Sequence, residues 1–106
     1  MQYTFSYKGR MIECLIETNN IHIKNSYLIR QPSEMKEILN IIRKWATEKG
    51  FSYKRTISSW ITEWKAHNIL YSKGLERQRS GSVDLNENER KIVLLSYKVL
   101  AKFYRP

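Results

Sequence analysis

The chain lacks the disulfide bonds that stabilise small extracellular proteins and the long apolar segments that anchor a protein in a membrane. It has a single cysteine, Cys14, so no disulfide can form within its 106 residues. We therefore expect a reducing, cytoplasmic setting. No segment approaches the ~20 apolar residues that a membrane helix needs. The first residues, MQYTFSYKGRMIEC, lack the apolar core of a signal peptide.

Acidic residues are also scarce relative to basic ones. Lys and Arg number 19 against 10 Asp and Glu, which gives a formal net charge of +9. An excess of positive charge of this size indicates the kind of binding partner more than the fold. Nucleic acid is the first candidate for that partner. An anionic membrane surface is the second, and a generically basic soluble protein is the plain alternative. The charge is spread along the whole chain, so folding must assemble any patch.

The first 30 residues predict an antiparallel β meander. Tyr3, Phe5 and Tyr7 alternate with polar residues, which is the period of a half-buried strand. Turns are predicted at Lys8-Gly9 and at Asn19-Asn20. Three aromatic rings on one face of a strand are costly to leave exposed, so we expect them to pack on the helices.

Residues 33–72 predict a helix-turn-helix. A helix opens at Pro32-Ser33 and stops at Gly50, and a second begins after Thr56, a candidate N-cap. Ala46 is the small residue that a crossing helix requires, and Phe51 can plug the turn. The alternative is two amphipathic helices that simply pack together. The apolar face of the first helix comprises Met35, Ile38, Leu39, Ile42, Trp45 and Ala46.

The second helix is then the candidate recognition helix. In this class its N-terminal residues meet base edges or phosphates in the major groove. Trp60 and Ile61 fall on the opposite, apolar stripe and are predicted to be core. The DNA-binding residues predicted at the start of this helix are Lys54, Arg55, Ser58, Ser59 and Thr62.

Residues 74–85, with the sequence LERQRSGSVDL at 75–85, predict a basic β-hairpin in the position of a wing. Arg77 and Arg79 alternate, so they project from one face of the first strand. Gln78 suits a bidentate contact to a base edge. A solvated loop with incidental charge is the alternative. The predicted DNA contacts in and around the wing are Lys73, Arg77, Gln78, Arg79, Ser80 and Ser82, with Lys8 and Arg10 on the same side.

A last helix is predicted over residues 86–104. Asn86 and Glu89 have the spacing of a capping box. Its expected apolar face comprises Ile92, Val93, Leu94, Tyr97, Leu100, Ala101 and Tyr104.

No constellation for catalysis stands out. His67 with Asp84, Glu87 and Glu89 has the residue types of a metal-dependent nuclease, but helix capping already explains the two glutamates. Cys14 and the two histidines lack zinc-ligand spacing. We predict no catalytic residue, no metal, no cofactor and no enzymatic activity.

The segment WKAHNILYSKGLERQRSGSVDLNENERK resembles a pattern in small proteins of Gram-positive bacteria and their mobile elements. The order of elements and the Ile/Lys/Asn-rich composition also resemble the small winged helix-turn-helix accessory proteins that bind the transfer origin of clostridial conjugative plasmids. This second resemblance implies a role in the relaxosome.

The sequence thus predicts one domain over residues 1–106, an α+β winged helix-turn-helix with an N-terminal meander and a C-terminal helix. The predicted function is sequence-specific binding of double-stranded DNA in plasmid transfer or mobile-element control. A homodimer on repeated half-sites is expected, and other DNA-processing proteins at the same site are candidate partners. An inhibitor of a host protein or ribonucleoprotein, and a small nuclease, remain as alternatives.

Overall fold

A three-stranded antiparallel sheet is followed by three α-helices in the computed structural model, which describes residues 1–73 and 85–103. This confirms the predicted α+β class. The chain divides into two compact units, Met1–Ile57 and Ser58–Pro106. Most of the predicted wing, residues 74–84, lies outside the described residues. The elements are β1 (Gln2–Tyr7), β2 (Arg10–Glu17), β3 (Asn20–Ile23), a 3-10 turn (Ser26–Leu28), α1 (Pro32–Glu48), α2 (Ile57–Ser72) and α3 (Glu87–Phe103).

The sheet has the strand order β1-β2-β3, as the predicted meander requires. Tyr7 pairs with Arg10, so Lys8 and Gly9 form a two-residue turn. Both turn residues have positive φ, 48° and 78°. This is the type I′ pattern, whose twist matches that of the flanking strands. The turn predicted at Lys8-Gly9 is confirmed.

The second turn lies one residue earlier than predicted. Glu17 pairs with Asn20, so the turn is Thr18–Asn19 and Asn20 already belongs to β3. Asn19 takes the left-handed conformation, with φ 63°. The register places Ile21 opposite Ile16. Because a slip of one residue would move every apolar side chain to the other face, core packing sets this register.

One face of the sheet packs on α1. The ring of Tyr3 stacks on Trp45 with centroids 4.2 Å apart, and it also stacks on Phe5 at 5.1 Å. The hydroxyl of Tyr7 donates a hydrogen bond to Glu37. The prediction that the three aromatics of β1 pack on a helix is confirmed for Tyr3 and Tyr7. Cys14 lies opposite Tyr3 on β2 and is buried, and this burial raises the pKa of its thiol to about 11.

Both ends of α1 follow local rules. Pro32 occupies the first turn, where its missing N–H costs nothing. At the other end Gly50 has φ 94°, the N–H of Phe51 donates to the carbonyl of Ala46 (3.0 Å), and that of Gly50 donates to Thr47 (3.1 Å). This is a Schellman motif, and it confirms the predicted stop at Gly50.

Helix α2 begins at Ile57, directly after Thr56, and buries Trp60 and Trp64 in the second unit. The predicted capping box of α3 is confirmed. The backbone N–H of Asn86 donates to Glu89 Oε1 (3.0 Å), and the N–H of Glu89 donates to Asn86 Oδ1 (2.8 Å). These reciprocal bonds satisfy two donors that a helix start otherwise leaves unpaired.

The apolar face predicted for α3 is wrong in part. Val93 and Ser96 are buried, whereas Leu94 and Tyr97 expose 51% and 58% of their surface. Tyr71, near the end of α2, is likewise exposed. The second unit therefore carries more exposed apolar surface than the sequence predicts, and the buried side of α3 centres on Val93 and Ser96.

Candidate nucleic-acid interface

A row of short polar and basic side chains follows the exposed side of α2. Ser58 is exposed and Thr62 is half-buried one turn later, and the next residue along the row is the exposed Lys65. The hydroxyl of Thr62 donates to the carbonyl of Ser58 (2.9 Å), which fixes its rotamer. Trp60 and Trp64 lie on the buried side. The predicted orientation holds for Ser58, Thr62 and Trp60, while Ile61 is only half-buried.

Two residues predicted as DNA contacts are buried. Arg55 exposes 1% of its surface and Ser59 exposes 2%. Ser59 lies about two helical turns before the buried Ala66, so it falls on the inner side of the helix. Arg55 can be buried because a long apolar stem precedes its guanidinium. Neither side chain can reach a phosphate in this conformation, which corrects the sequence prediction.

Arg10 lies where β2 begins and is engaged inside the first unit. Its Nη1 donates to the carbonyl of Leu28 (2.6 Å), and its Nη2 pairs with the carboxylate of Glu34. The hydrogen bond from Arg10 holds the pKa of Glu34 below its usual range. Arg10 therefore ties the sheet to the 3-10 turn and to α1, and it is less available to DNA than the sequence predicts.

The remaining predicted contacts differ in how freely they face solvent. Lys8 is exposed at the β1–β2 turn, with its Nζ 5.4 Å from the centre of the Tyr7 ring. Lys73 is exposed too, but its Nζ lies 3.7 Å from Glu89 Oε1. An exposed pair of this kind is weak, so it does not exclude a phosphate contact. The predicted wing contacts Arg77, Gln78, Arg79, Ser80 and Ser82 lie outside the described residues.

Two distant stretches of the first unit meet at an open depression of about 460 Å³. We call it the linker depression. It lies between the β2–β3 turn and the segment that leaves α1. Among the described residues, its lining includes two lysines and no carboxylate, which favours an anion over a cation. The lining residues are Thr18, Asn19, Lys49, Gly50, Phe51, Ser52 and Lys54.

The segment that follows α1 is tied to that helix by a hydrogen bond. Arg43 Nη2 donates to the carbonyl of Tyr53 (3.3 Å), and burial raises the pKa of the Tyr53 hydroxyl. Sequence reasoning found Lys54 but missed Thr18, Asn19, Lys49 and Ser52. Their types are ordinary for turns, and only their meeting in space distinguishes them. The presence of Lys49 and Lys54 on either side of Gly50 was the one feature of the sequence that could have indicated this site.

Within residues 1–73 and 85–103, no three His, Cys, Asp or Glu side chains gather in a way that could hold a metal ion. In the same part of the chain, no helix combines the length and the apolar character needed to cross a membrane.

Comparisons of the chain with family models, with curated proteins and with solved structures find no match.

Proposed function

We propose that this chain is a non-enzymatic protein that binds double-stranded DNA in a sequence-specific manner, as a winged helix-turn-helix. The proposed setting is plasmid conjugative transfer, at the transfer origin, or control of a mobile element. The net charge of +9 supports a polyanionic partner. The resemblance of the sequence to transfer-origin-binding proteins supplies the setting.

The exposed row of α2 is the observation that carries the proposal. Ser58, Thr62 and Lys65 follow one another at helical spacing, and none is bulky or acidic. Short hydroxyl side chains permit close approach to a groove, and a lysine adds attraction to phosphate. Glu63, whose carboxylate would repel phosphate, is half-buried and lies outside this row. The helix thus presents its DNA-compatible side to solvent.

Completely buried Ala46 and the positive φ of Gly50 also suit a helix-turn-helix junction. Both are required where one helix crosses another after a tight turn. The crossing itself stays a prediction, as does the wing.

A band-shift experiment on duplex DNA from the flanks of the gene, with and without Mg²⁺, tests the proposal. We expect a shifted complex and intact DNA under both conditions, and weaker binding to an unrelated duplex. Cleavage that needs Mg²⁺ would favour the nuclease alternative. Absence of any complex at low salt would reject DNA binding and favour the inhibitor of a host protein or ribonucleoprotein.

The wing is predicted to bind phosphate through Arg77 and Arg79. Replacing both with alanine should weaken binding similarly on all duplexes, and the slope of log K against log salt should fall by about two. Arg30→Ala/Arg90→Ala is the matched control, because it removes two exposed arginines that are not predicted to contact DNA. An unchanged slope in the double variant would reject the wing as a phosphate-binding element.

A homodimer is part of the proposal, and α3 offers a surface for it. Leu94 is half-exposed on the outer side of the helix, between Glu87 and Lys98, which lie about three turns apart on that side. In an antiparallel pair about a two-fold axis, Glu87 of one copy faces Lys98 of the other, and the reverse. Glu87 also lies 3.6 Å from Lys91 of its own helix, but both side chains are exposed and such a pair is weak, so Glu87 can turn to Lys98 of the second copy.

Leu94→Ser should raise the dimer dissociation constant about tenfold or more, because each copy loses a leucine from the interface. Sedimentation equilibrium measures it. Leu95→Ser is the control, since Leu95 is as exposed but lies farther round the helix. A monomeric wild-type protein would contradict the dimer. Equal weakening by both variants would contradict the proposed orientation of α3.

A further inference from the structure

We propose that the linker depression binds a phosphate group of the DNA backbone through Lys49 and Lys54, with Ser52, Thr18 and Asn19 as hydrogen-bond donors. This inference rests on the proposed function, and it adds a contact outside the recognition helix and the wing. It assigns a role to residues from two turns that are far apart in sequence.

The chemistry of the lining favours an anion. Two lysines, a serine, a threonine and an asparagine line the depression, and none of the described lining residues carries a carboxylate. The depression is open rather than enclosed, so it suits a group presented by a long polymer better than a small molecule that must be buried on most sides. A backbone phosphate meets these requirements, because two of its oxygens project away from the chain that carries it.

Side chains, rather than the backbone, must hold the anion. The N–H groups of Lys49, Gly50 and Phe51 are all used in closing α1, with donor–acceptor distances of 3.0 to 3.2 Å. The negative end of the α1 dipole also lies here, which disfavours an anion bound by the backbone alone. The two lysines offset that dipole, and their full charges outweigh its partial charge.

The two lysines are placed differently. Lys49 lies with its Nζ 5.5 Å from the centre of the Trp45 ring, so an aromatic contact limits its motion. Lys54 is exposed, and its side chain has no hydrogen bond or ion pair with any residue in the described part of the chain. An ammonium group without an internal partner gains most from a phosphate. Lys54 is accordingly expected to contribute more than Lys49.

The test compares Lys49→Gln/Lys54→Gln with wild type by fluorescence anisotropy on the gene-flanking duplex and on an unrelated duplex, over a series of salt concentrations. We expect affinity at 0.1 M salt to fall about tenfold on both duplexes, and the salt slope to fall by about two. The control Lys36→Gln/Lys44→Gln removes the same charge from exposed positions of α1 that do not line the depression.

A second variant separates charge from side-chain identity. Lys49→Arg/Lys54→Arg keeps both charges and should keep the wild-type slope. If wild type binds DNA but the glutamine variant matches the control double variant, the phosphate site is wrong while the proposed function stands. A loss confined to the gene-flanking duplex would also overturn it, because a phosphate contact is blind to sequence. If wild type binds neither duplex, the proposed function fails first. Thermal melting of every variant shows whether it is folded. The single variant Lys54→Gln, measured in the same way, guards against a folding defect that only the double substitution causes.

Discussion

Trp60→Ala is expected to lower the free energy of unfolding by about 3–5 kcal/mol, the cost of removing a large aromatic side chain from a packed interior. Trp60 exposes only 4% of its surface, on the opposite side of α2 from Ser58. Urea denaturation followed by circular dichroism measures the change. Tyr71→Ala is the control in the same helix, since Tyr71 is more than half exposed and should shift stability by about 1 kcal/mol or less.

The same variant tests which side of α2 faces DNA. Under conditions where the alanine variant remains folded, we expect its DNA affinity to stay close to that of wild type, because the exposed row is intact. A variant as stable as wild type that no longer binds DNA would mean that Trp60 contacts the ligand. The proposed exposed row of α2 would then be on the wrong side.

Ile42→Ala is expected to cost between about 2 and 5 kcal/mol, because Ile42 is completely buried and its truncation leaves a cavity. The neighbouring Ile41 provides a matched control, identical in type and 38% exposed. Ile41→Ala should cost about 1 kcal/mol or less. The contrast between the two variants, measured by the same denaturation experiment, reports the side of α1 that faces the core.

Packing of α1 on the sheet also has a functional consequence. The sheet supplies Thr18 and Asn19 to the linker depression, while the end of α1 and its following segment supply Lys49 and Lys54. Loosening the contact should therefore weaken DNA binding as well as stability in Ile42→Ala, and affect neither much in Ile41→Ala. Equal costs for both variants would contradict the packing of α1 described above.

Much of the first unit could be predicted from its sequence, and the reason is local. Each of these local features depends on a few neighbouring residues. Examples are the positive φ at Lys8-Gly9 and at Gly50 and, in the second unit, the reciprocal hydrogen bonds of Asn86 and Glu89. Alternation in β1 likewise predicted which aromatic side chains would turn inward. Asn19 and Asn20 have the same local preference for the left-handed turn conformation, so the local sequence does not decide which of them takes it. The pairing of Ile21 with Ile16 then decides the turn.

The candidate interface was predictable only in part. Helical spacing correctly separated Ser58 and Thr62 from Trp60, because a single helix fixes those angles. It did not reveal that Ser59 is buried, since serine contributes nothing to an apolar pattern. It also did not reveal the burial of Arg55. Sequence patterns predict a charged residue to be exposed, and only the packed fold shows that its apolar stem and guanidinium are buried.

The sequence by itself determined the α+β class, the order of the described strands and helices, the first turn, the end of α1 and the start of α3, and a charge that favours a polyanionic partner. Only the tertiary structure decided that Arg10 ties the sheet to α1, that Leu94 and Tyr97 stay exposed, and that Lys49 and Lys54 share a depression with the β2–β3 turn. The physical reason is range. Caps and turns are set by hydrogen bonds and dihedral angles within a few residues, whereas burial and the meeting of distant side chains depend on how whole elements pack.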